Sequence, residues 1–372
     1  MKKILFFINT LGTGGAEHVL VDIVNNLDPT KFDITIKTIY DINVYKDELN
    51  NNIKVESFYK TKKNKFIDKI FRKFLYLKIM NFSNKTLYKM MIKDKYDIEV
   101  AFLEGLPTKI LSGSTNKDAK KISWVHTDLK NNTESYYFFK SLKEHKQTYQ
   151  KFNEIYCVSD EAKEAFYEVF KFKKNVHVLY NIIDKQKIIN KSLENVKLSK
   201  KFNIINVGRL TEAKGHIRLL NTYKNVLDKL NKETHLYIIG DGEEKEKIEE
   251  EIKKLNLKDH VTMLGRQDNP YKYVSKSDLY ICSSYAEGYS LVIMEALTLG
   301  IPVLTTECAG MKQILNNGEF GLIVENNDKR LEEGIITLIN NQDKLNKYKE
   351  NIKNNYSKYE AGIKKIEKEL LK

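Results

Sequence analysis

The sequence predicts two α/β domains, each a doubly wound parallel sheet covered by helices on both faces. Three observations predict this. The chain has 372 residues, and at ~100–200 residues per domain that length divides into two. Short aliphatic runs alternate with amphipathic helical stretches from end to end, the pattern of βαβ units. Glycine is unevenly spread, with ten of 17 in residues 201–330 and five in the first 200. The second domain is therefore expected to build most of a phosphate- or nucleotide-binding rim at its strand ends, where open α/β sheets take their ligands.

The elements follow in order. KKILFFIN reads as a strand, AEHVLVDIVNNL as a helix and FDITIKTIY as a strand. In the second half FNIINVG, HLYIIG, VTMLG, DLYICSS and IPVLTT are apolar strands, most ending at Gly, Ser or Thr. IRLLNTYKNVLDKL, EEKEKIEEEIKKLNL and LVIMEALTLG are the helices between them. The boundary is expected in VLYNIIDKQ, Val178 to Gln186, giving domains 1–180 and 181–354, with a C-terminal helix at about 355–372.

Composition removes other classes. With 41% hydrophobic and 30% charged residues and a mean hydropathy of -0.49, the chain has no apolar run of the ~18 residues that a membrane-spanning helix needs. The opening MKKILFFINTLGTGG has two lysines but only five apolar residues, Ile4 to Ile8, short of the ~7–15 of a signal h-region. A buried first strand and a cytoplasmic location are expected. Cys157, Cys282 and Cys308 are too few for a disulfide framework and form no CxxC pair. No fixed-period repeat occurs, which excludes a solenoid.

Three segments carry chemistry. In SSYAEGYSLVIMEALTLGIPVL, Ser283 to Leu304, a strand is expected to end at Ser283 and a helix to begin at Ser290 or Leu291. The N–H groups of Tyr289, Ser290 and Leu291 would then face the rim as an anion site. Gly288 would let backbone approach a ligand, Glu287 would sit in the rim as an acceptor for hydroxyls, and Glu295 one to two turns deeper. The same spacing equally fits a plain strand–loop–helix with two exposed glutamates. In VGRLTEAKGH, Arg209 and Lys214 lie five positions apart beside a helix start. Such a pair suits a diphosphate, Arg forking two oxygens and Lys acting as a point charge. In NTLGTGGAEHVL, Gly12, Gly14 and Gly15 are neither a GxGxxG fingerprint nor a P-loop. Gly14 and Gly15 could approach a phosphate, although alone the segment reads as a tight βα turn.

Together these segments resemble the retaining GT-B glycosyltransferases of family 4, over essentially the whole chain. The family's Glu-x7-Glu pattern appears as Glu287 and Glu295, its phosphate segment as GRLTEAKG, its GDG turn as Gly240, Asp241 and Gly242, and its GIPV strand as Gly300 to Val303. GTGGAEHVL looks like the family's N-terminal glycine loop. The resemblance implies two Rossmann-like domains facing across a cleft, nucleotide sugar on the second and acceptor on the first, with the C-terminal helix crossing back. It implies that Glu287 holds donor sugar hydroxyls, Glu295 ribose hydroxyls, and Arg209 and Lys214 the departing diphosphate. It puts Gly265 and Arg266 near the base, Gly240 in the donor site, and His126 of SWVHTD at the sugar. No Asp-x-Asp occurs, so neither a metal nor another cofactor is expected; Asp241 and Glu243 read as a turn and a helix start.

The chain carries a net charge of +13, and residues 60–95 hold twelve basic residues against two acids. Ile67, Ile70, Phe71, Phe74 and Leu75 fall on one helical face, with Lys65, Lys69, Arg72 and Lys73 opposite. This is either an ordinary helix with its apolar face in the core, or an interfacial helix drawn to anionic lipid at the inner face of the cell membrane. Nucleic acid is not an expected partner, since no RNA- or DNA-binding motif accompanies the block. The reaction expected is retaining, metal-independent transfer of a hexose from a nucleotide-diphosphate sugar, UDP first, to a lipid-linked glycan in surface or capsular polysaccharide assembly. A nucleotide-sugar epimerase, a transferase to protein or soluble acceptors, and a non-enzymatic binding module are the alternatives. A retaining glycosidase needs carboxyls ~5–5.5 Å apart, whereas eight helical residues rise ~12 Å.

Overall fold

The computed structural model describes the chain except Thr13, residues 357–361 and the side chain of Lys65. The chain divides into two compact units, Met1–Ile182 with Ala361–Lys372, and Ile183–Glu360.

Unit 1 holds β1 (Lys2–Ile8), β2 (Phe32–Tyr40), β3 (Lys54–Tyr59), β4 (Ile98–Ala101), β5 (Lys120–Val125), β6 (Glu154–Cys157) and β7 (Val176–Val178). They form one parallel sheet in the order β3-β2-β1-β4-β5-β6-β7. Ile4 pairs with Ile34 on one side and Ile98 on the other. Ile4 through Ile8 are all fully buried; successive residues point to opposite faces, so the sheet is covered on both. The helix Gly15–Asn26 follows β1. The C-terminal helix Ile363–Leu371 belongs to this unit. Its Glu367 accepts from the Asp28 N–H at 2.8 Å and the Lys31 ammonium at 3.0 Å, and Glu369 accepts from the Tyr156 hydroxyl at 2.9 Å. Of the C-terminal helix expected at about 355–372, residues 357–361 lie outside the described residues.

Unit 2 holds β8 (Phe202–Val207), β9 (Thr234–Ile239), β10 (Val261–Gly265), β11 (Leu279–Cys282), β12 (Val303–Thr306) and β13 (Gly321–Val324). Its parallel sheet runs β10-β9-β8-β11-β12-β13. The helix His216–Val226 follows β8 and the helix Leu291–Thr298 follows β11.

The basic segment forms the helix Lys65–Asn81, capped by Asn64, whose side chain accepts from the N–H groups of Phe66 and Ile67. Its orientation corrects the core-packed expectation. Of the apolar face read from the sequence only Leu75 is buried; Ile67, Ile70, Phe71 and Phe74 are 43–56% exposed. The stripe turned inward is Asp68, Arg72, Leu75 and Ile79, at i, i+4, i+7 and i+11. Asp68 accepts from the Lys62 N–H and the Tyr59 hydroxyl, each at 2.8 Å, and from Arg72 Nε at 2.6 Å. The Arg72 guanidinium lies over the rings of Tyr40 and Tyr59, 5.3 and 5.6 Å from their centres. The Lys62 N–H, with the Tyr59 and Arg72 bonds, holds the Asp68 carboxyl down at about 2. This polar seam fixes the helix's rotation and leaves its most apolar side uncovered among the described residues.

Candidate functional site

In unit 2 the strand order reverses between β8 and β11, which opens a crevice at their carboxyl ends. Two loops meet there. The Tyr285 N–H donates to the Ala213 carbonyl at 2.8 Å, and Ser283 Oγ lies 3.1 and 3.0 Å from the Lys214 and Gly215 carbonyls. Gly215 has φ 64°, and a Cβ there would stand 2.3 Å from the Ser283 carbonyl oxygen. Only glycine permits this approach.

The join brings together Lys214 and Glu287, 73 residues apart in sequence. Lys214 Nζ donates to Glu287 Oε1 at 2.6 Å, and Ser284 Oγ donates to the same oxygen at 2.7 Å. The Glu287 side chain is 9% exposed and that of Lys214 30%. Burial by itself would lower the Lys214 pKa. The Glu287 charge and hydrogen bond, with Cys282 and Cys308 nearby, outweigh it and hold the ammonium above the ordinary lysine value.

The helix Leu291–Thr298 starts beside this pair. Its N-cap, Ser290, makes no side-chain capping bond, and Ser290 Oγ is buried without a partner among the described residues. The first N–H groups of a helix have no acceptor inside it and form its positive end. Tyr289 and Gly288 are pressed by Gly310 (φ 77°), where a Cβ would stand 2.8 Å from the Tyr289 ring and 2.9 Å from the Gly288 carbonyl oxygen. Glu295 is buried in the helix, and its Oε1 accepts from the Tyr271 hydroxyl at 3.2 Å. The arrangement presents a cation, a helix N-terminus and a carboxylate at one rim, a combination that suits an anion carrying hydroxyl groups.

The other expected residues lie as follows. Arg209 is exposed, with no ion pair among the described residues. Gly240 packs backbone to backbone, since a Cβ there would lie 1.8 Å from the Gly208 carbonyl oxygen; its N–H donates to the Gly265 carbonyl at 3.0 Å. Gly265 faces open space, and Arg266 beside it is exposed. Asp241 receives the Gly242 N–H at 3.0 Å. Among the described residues no group of three or more His, Cys, Asp or Glu side chains could hold a metal ion.

His126, Gly14 and Gly15 belong to unit 1. The His126 N–H donates to Glu104 Oε2 at 3.0 Å, and the Thr127 hydroxyl to Oε1 at 2.8 Å. The imidazole lies against Phe102, ring centres 4.7 Å apart, and its Nε2 is buried without a hydrogen-bond partner among the described residues. Burial lowers its pKa to about 3 and raises that of Glu104. Gly14 is the N-cap of the helix Gly15–Asn26; a Cβ on it would stand 2.1 Å from Glu17 Oε2, and Glu17 Oε1 accepts from the Thr10 hydroxyl at 3.1 Å.

Sequence reading missed Ser284, Glu104 and Thr127. Ser284 lies three residues before Glu287 in SSYAEG, a spacing that could have suggested it. Nothing in FLEG or HTD marks the contact between Glu104 and Thr127, which the sheet register creates by placing β4 beside β5.

Residues 184–355 match the family described as Glycosyl transferases group 1. A *Campylobacter jejuni* N-acetylgalactosamine-N,N'-diacetylbacillosaminyl-diphospho-undecaprenol 4-alpha-N-acetylgalactosaminyltransferase is 37% identical over 47% of this chain and 47% of its own, so the likeness spans about half the length of each. A second protein of that organism, a GalNAc-alpha-(1->4)-GalNAc-alpha-(1->3)-diNAcBac-PP-undecaprenol alpha-1,4-N-acetyl-D-galactosaminyltransferase, is 26% identical over 88% of this chain and 86% of its own. The crystal structure of *Anabaena* HepE in complex with UDP and glucose is similar with TM-score 0.77 and 18% identity, covering 100% of this chain and 98% of that one. The fold is that of the GT-B glycosyltransferases, with two parallel-sheet α/β units.

Proposed function

We propose that this chain is a retaining, metal-independent hexosyltransferase of the family 4 type. It moves a sugar from a nucleotide-diphosphate donor, UDP-linked first, to a growing polyprenyl-diphosphate-linked glycan in surface or capsular polysaccharide assembly. The observation that carries the reading is the Lys214–Glu287–Ser284 cluster beside the helix N-terminus at Ser290. The match of residues 184–355 supports transfer, the names of the two *Campylobacter* relatives support a lipid-linked acceptor, and the UDP complex of a protein of like fold supports the base.

In this reading Lys214, Arg209 and the N–H groups of Ser290 and Leu291 stabilise the charge that grows on the leaving diphosphate. Glu287, held by Ser284, accepts from donor sugar hydroxyls, and Glu295 from ribose hydroxyls. The bond from the anomeric carbon to the diphosphate oxygen breaks as the acceptor oxygen bonds the same face of that carbon. The acceptor's proton passes to the leaving diphosphate oxygen. The test is nucleotide release from UDP-, GDP- and ADP-sugars, with and without a detergent extract of bacterial lipid-linked glycans. Release from one donor, stimulated by the extract, is expected; release without stimulation refutes the lipid acceptor, and no release from any donor refutes the transferase.

No helix among the described residues is long and apolar enough to cross a membrane. In this reading the outward face of the helix Lys65–Asn81 makes a surface contact with the cytoplasmic face of the membrane. Phe66, Ile67, Ile70, Phe71, Phe74 and Leu77 are exposed along it, within a segment whose basic residues exceed its acids by ten. Apolar insertion with ~1 kcal/mol of attraction per nearby basic residue suits an anionic bilayer. The protein is expected to float with phosphatidylglycerol vesicles and not with neutral ones. The F71D/F74D variant, altered only at exposed positions, should stay at the bottom of the gradient. Equal recovery from both lipids, or self-association through this face without flotation, would refute the contact.

A further inference from the structure

We infer that Asn326, oriented by the buried Arg218, is a positioning residue that clamps the turn carrying Glu287. For donor handling the inference rests on the function proposed above; the clamp itself does not. Arg218, in the helix His216–Val226, is 4% exposed. Its guanidinium donates from Nη1 to Asn326 Oδ1 at 2.6 Å, its Nε lies 2.8 Å from Asp328 Oδ1, and it stacks 4.8 Å from the centre of the Tyr285 ring. A guanidinium can only donate, so the amide oxygen of Asn326 must face it and the NH2 must face the other way.

On that side the amide nitrogen meets two segments. It lies 3.0 Å from the Tyr285 carbonyl, 3.4 Å from that of Ser284, 3.3 Å from that of Glu307 and 3.4 Å from Cys308 Sγ. Two N–H groups thus serve acceptors on the loops after β11 and β12, while Asn326 itself follows β13. The Ser284 carbonyl also receives the Thr306 hydroxyl at 2.7 Å and the Cys308 thiol at 3.3 Å, and Ser284 Oγ is the group that fixes Glu287. Asn326 is an exposed residue, so packing does not explain this convergence. Its amide spans from the buried cation to the backbone from which Glu287 and Ser290 are hung.

The test uses N326D and N326A in the full chain. Asp keeps an oxygen for Arg218 and loses the donors, so N326D reads the loss of the donors alone, whereas Ala also leaves the buried guanidinium without this acceptor. N326D should keep a Tm within about 2 °C of wild type, because the position is exposed and Arg218 keeps its acceptor, and N326A should fall further. Hydrogen exchange at residues 284–290 should quicken about tenfold while the rest of the protein is unchanged. With the sugar nucleotide that the wild type turns over, kcat/KM for the donor should fall ~10- to 100-fold with KM for the acceptor unchanged. Wild-type exchange at 284–290 in N326D, or uniformly faster exchange with a large drop in Tm, would overturn the clamp. Faster local exchange in N326D of a protein that turns over no sugar nucleotide would uphold the clamp and fail the transferase reading.

Discussion

Lys214→Ala is expected to lower sugar release from the donor by at least about a thousandfold while the protein stays folded, and Glu287→Ala to do the same. Removing one preorganised group from developing transition-state charge costs ~10²–10³ in rate. Here each deletion also frees its partner, because Lys214 and Glu287 share one 2.6 Å hydrogen bond. The double variant should be hardly worse than either single one, the mark of residues that act as a unit. Stability should change little. The lysine is 30% exposed, so screening limits what the pair contributes, and Glu287 keeps the Ser284 hydroxyl when Lys214 is gone. Turnover assays beside thermal melts separate the two effects, and near-normal turnover by both variants would remove the mechanism. The pH profile adds a sign. Raised above its ordinary value, Lys214 contributes stability that is present below the unfolded lysine value and lost only as pH rises through the folded one. An acid limb of activity therefore does not come from this residue.

The fold was legible in the sequence because parallel strands buried on both faces are near-continuous aliphatic runs. KKILFFI and THLYII need no tertiary knowledge to be read as such. The helix start at Leu291 was legible from the turn before it. What periodicity could not give was the rotation of the helix Lys65–Asn81. Hydrophobicity left Ile67, Ile70, Phe71 and Phe74 equally fit for a core or for a lipid surface. The Asp68–Arg72 seam against Tyr40 and Tyr59 turns them outward, and those partners come from β2 and β3. The Lys214–Glu287 bond was hidden for a similar reason. Each residue was singled out for a ligand, and only the adjacency of β8 and β11 makes them partners. Arg218 and Asn326, 108 residues apart, left no local mark at all.

Acidification should destabilise both units well before their carboxylates are fully protonated, because unit 1 holds neutral imidazoles at His145 and His126 and unit 2 one at His216. In unit 1 His145 is 1% exposed, stacked 3.9 Å from the Phe139 ring, with Tyr136, Tyr149 and Phe170 around it. In unit 2 His216 is fully buried. Neither ring has a hydrogen-bond partner among the described residues. Burial lowers the His145 pKa to about 3, and burial, then the Lys214 charge, lowers that of His216 to about 4. Both groups are bases with depressed folded values. Between roughly pH 6.5 and the folded value the unfolded chain binds a proton that the native protein refuses, so stability falls as pH falls, by ~1.4 kcal/mol per unit per histidine. At pH 4.5 that is about 2–3 kcal/mol for each, against a total of ~5–15 kcal/mol for a typical domain. Thermal melts from pH 7.5 to 4.5 should show Tm declining steeply below 6.5. His145→Phe, which keeps an aromatic ring in an aromatic cage, should make the decline in unit 1 shallower, with His126 supplying what remains, while leaving the melt at pH 7.5 within a few degrees. A slope unchanged by His145→Phe, in a protein that still melts cooperatively, would show that this ring takes up its proton without unfolding.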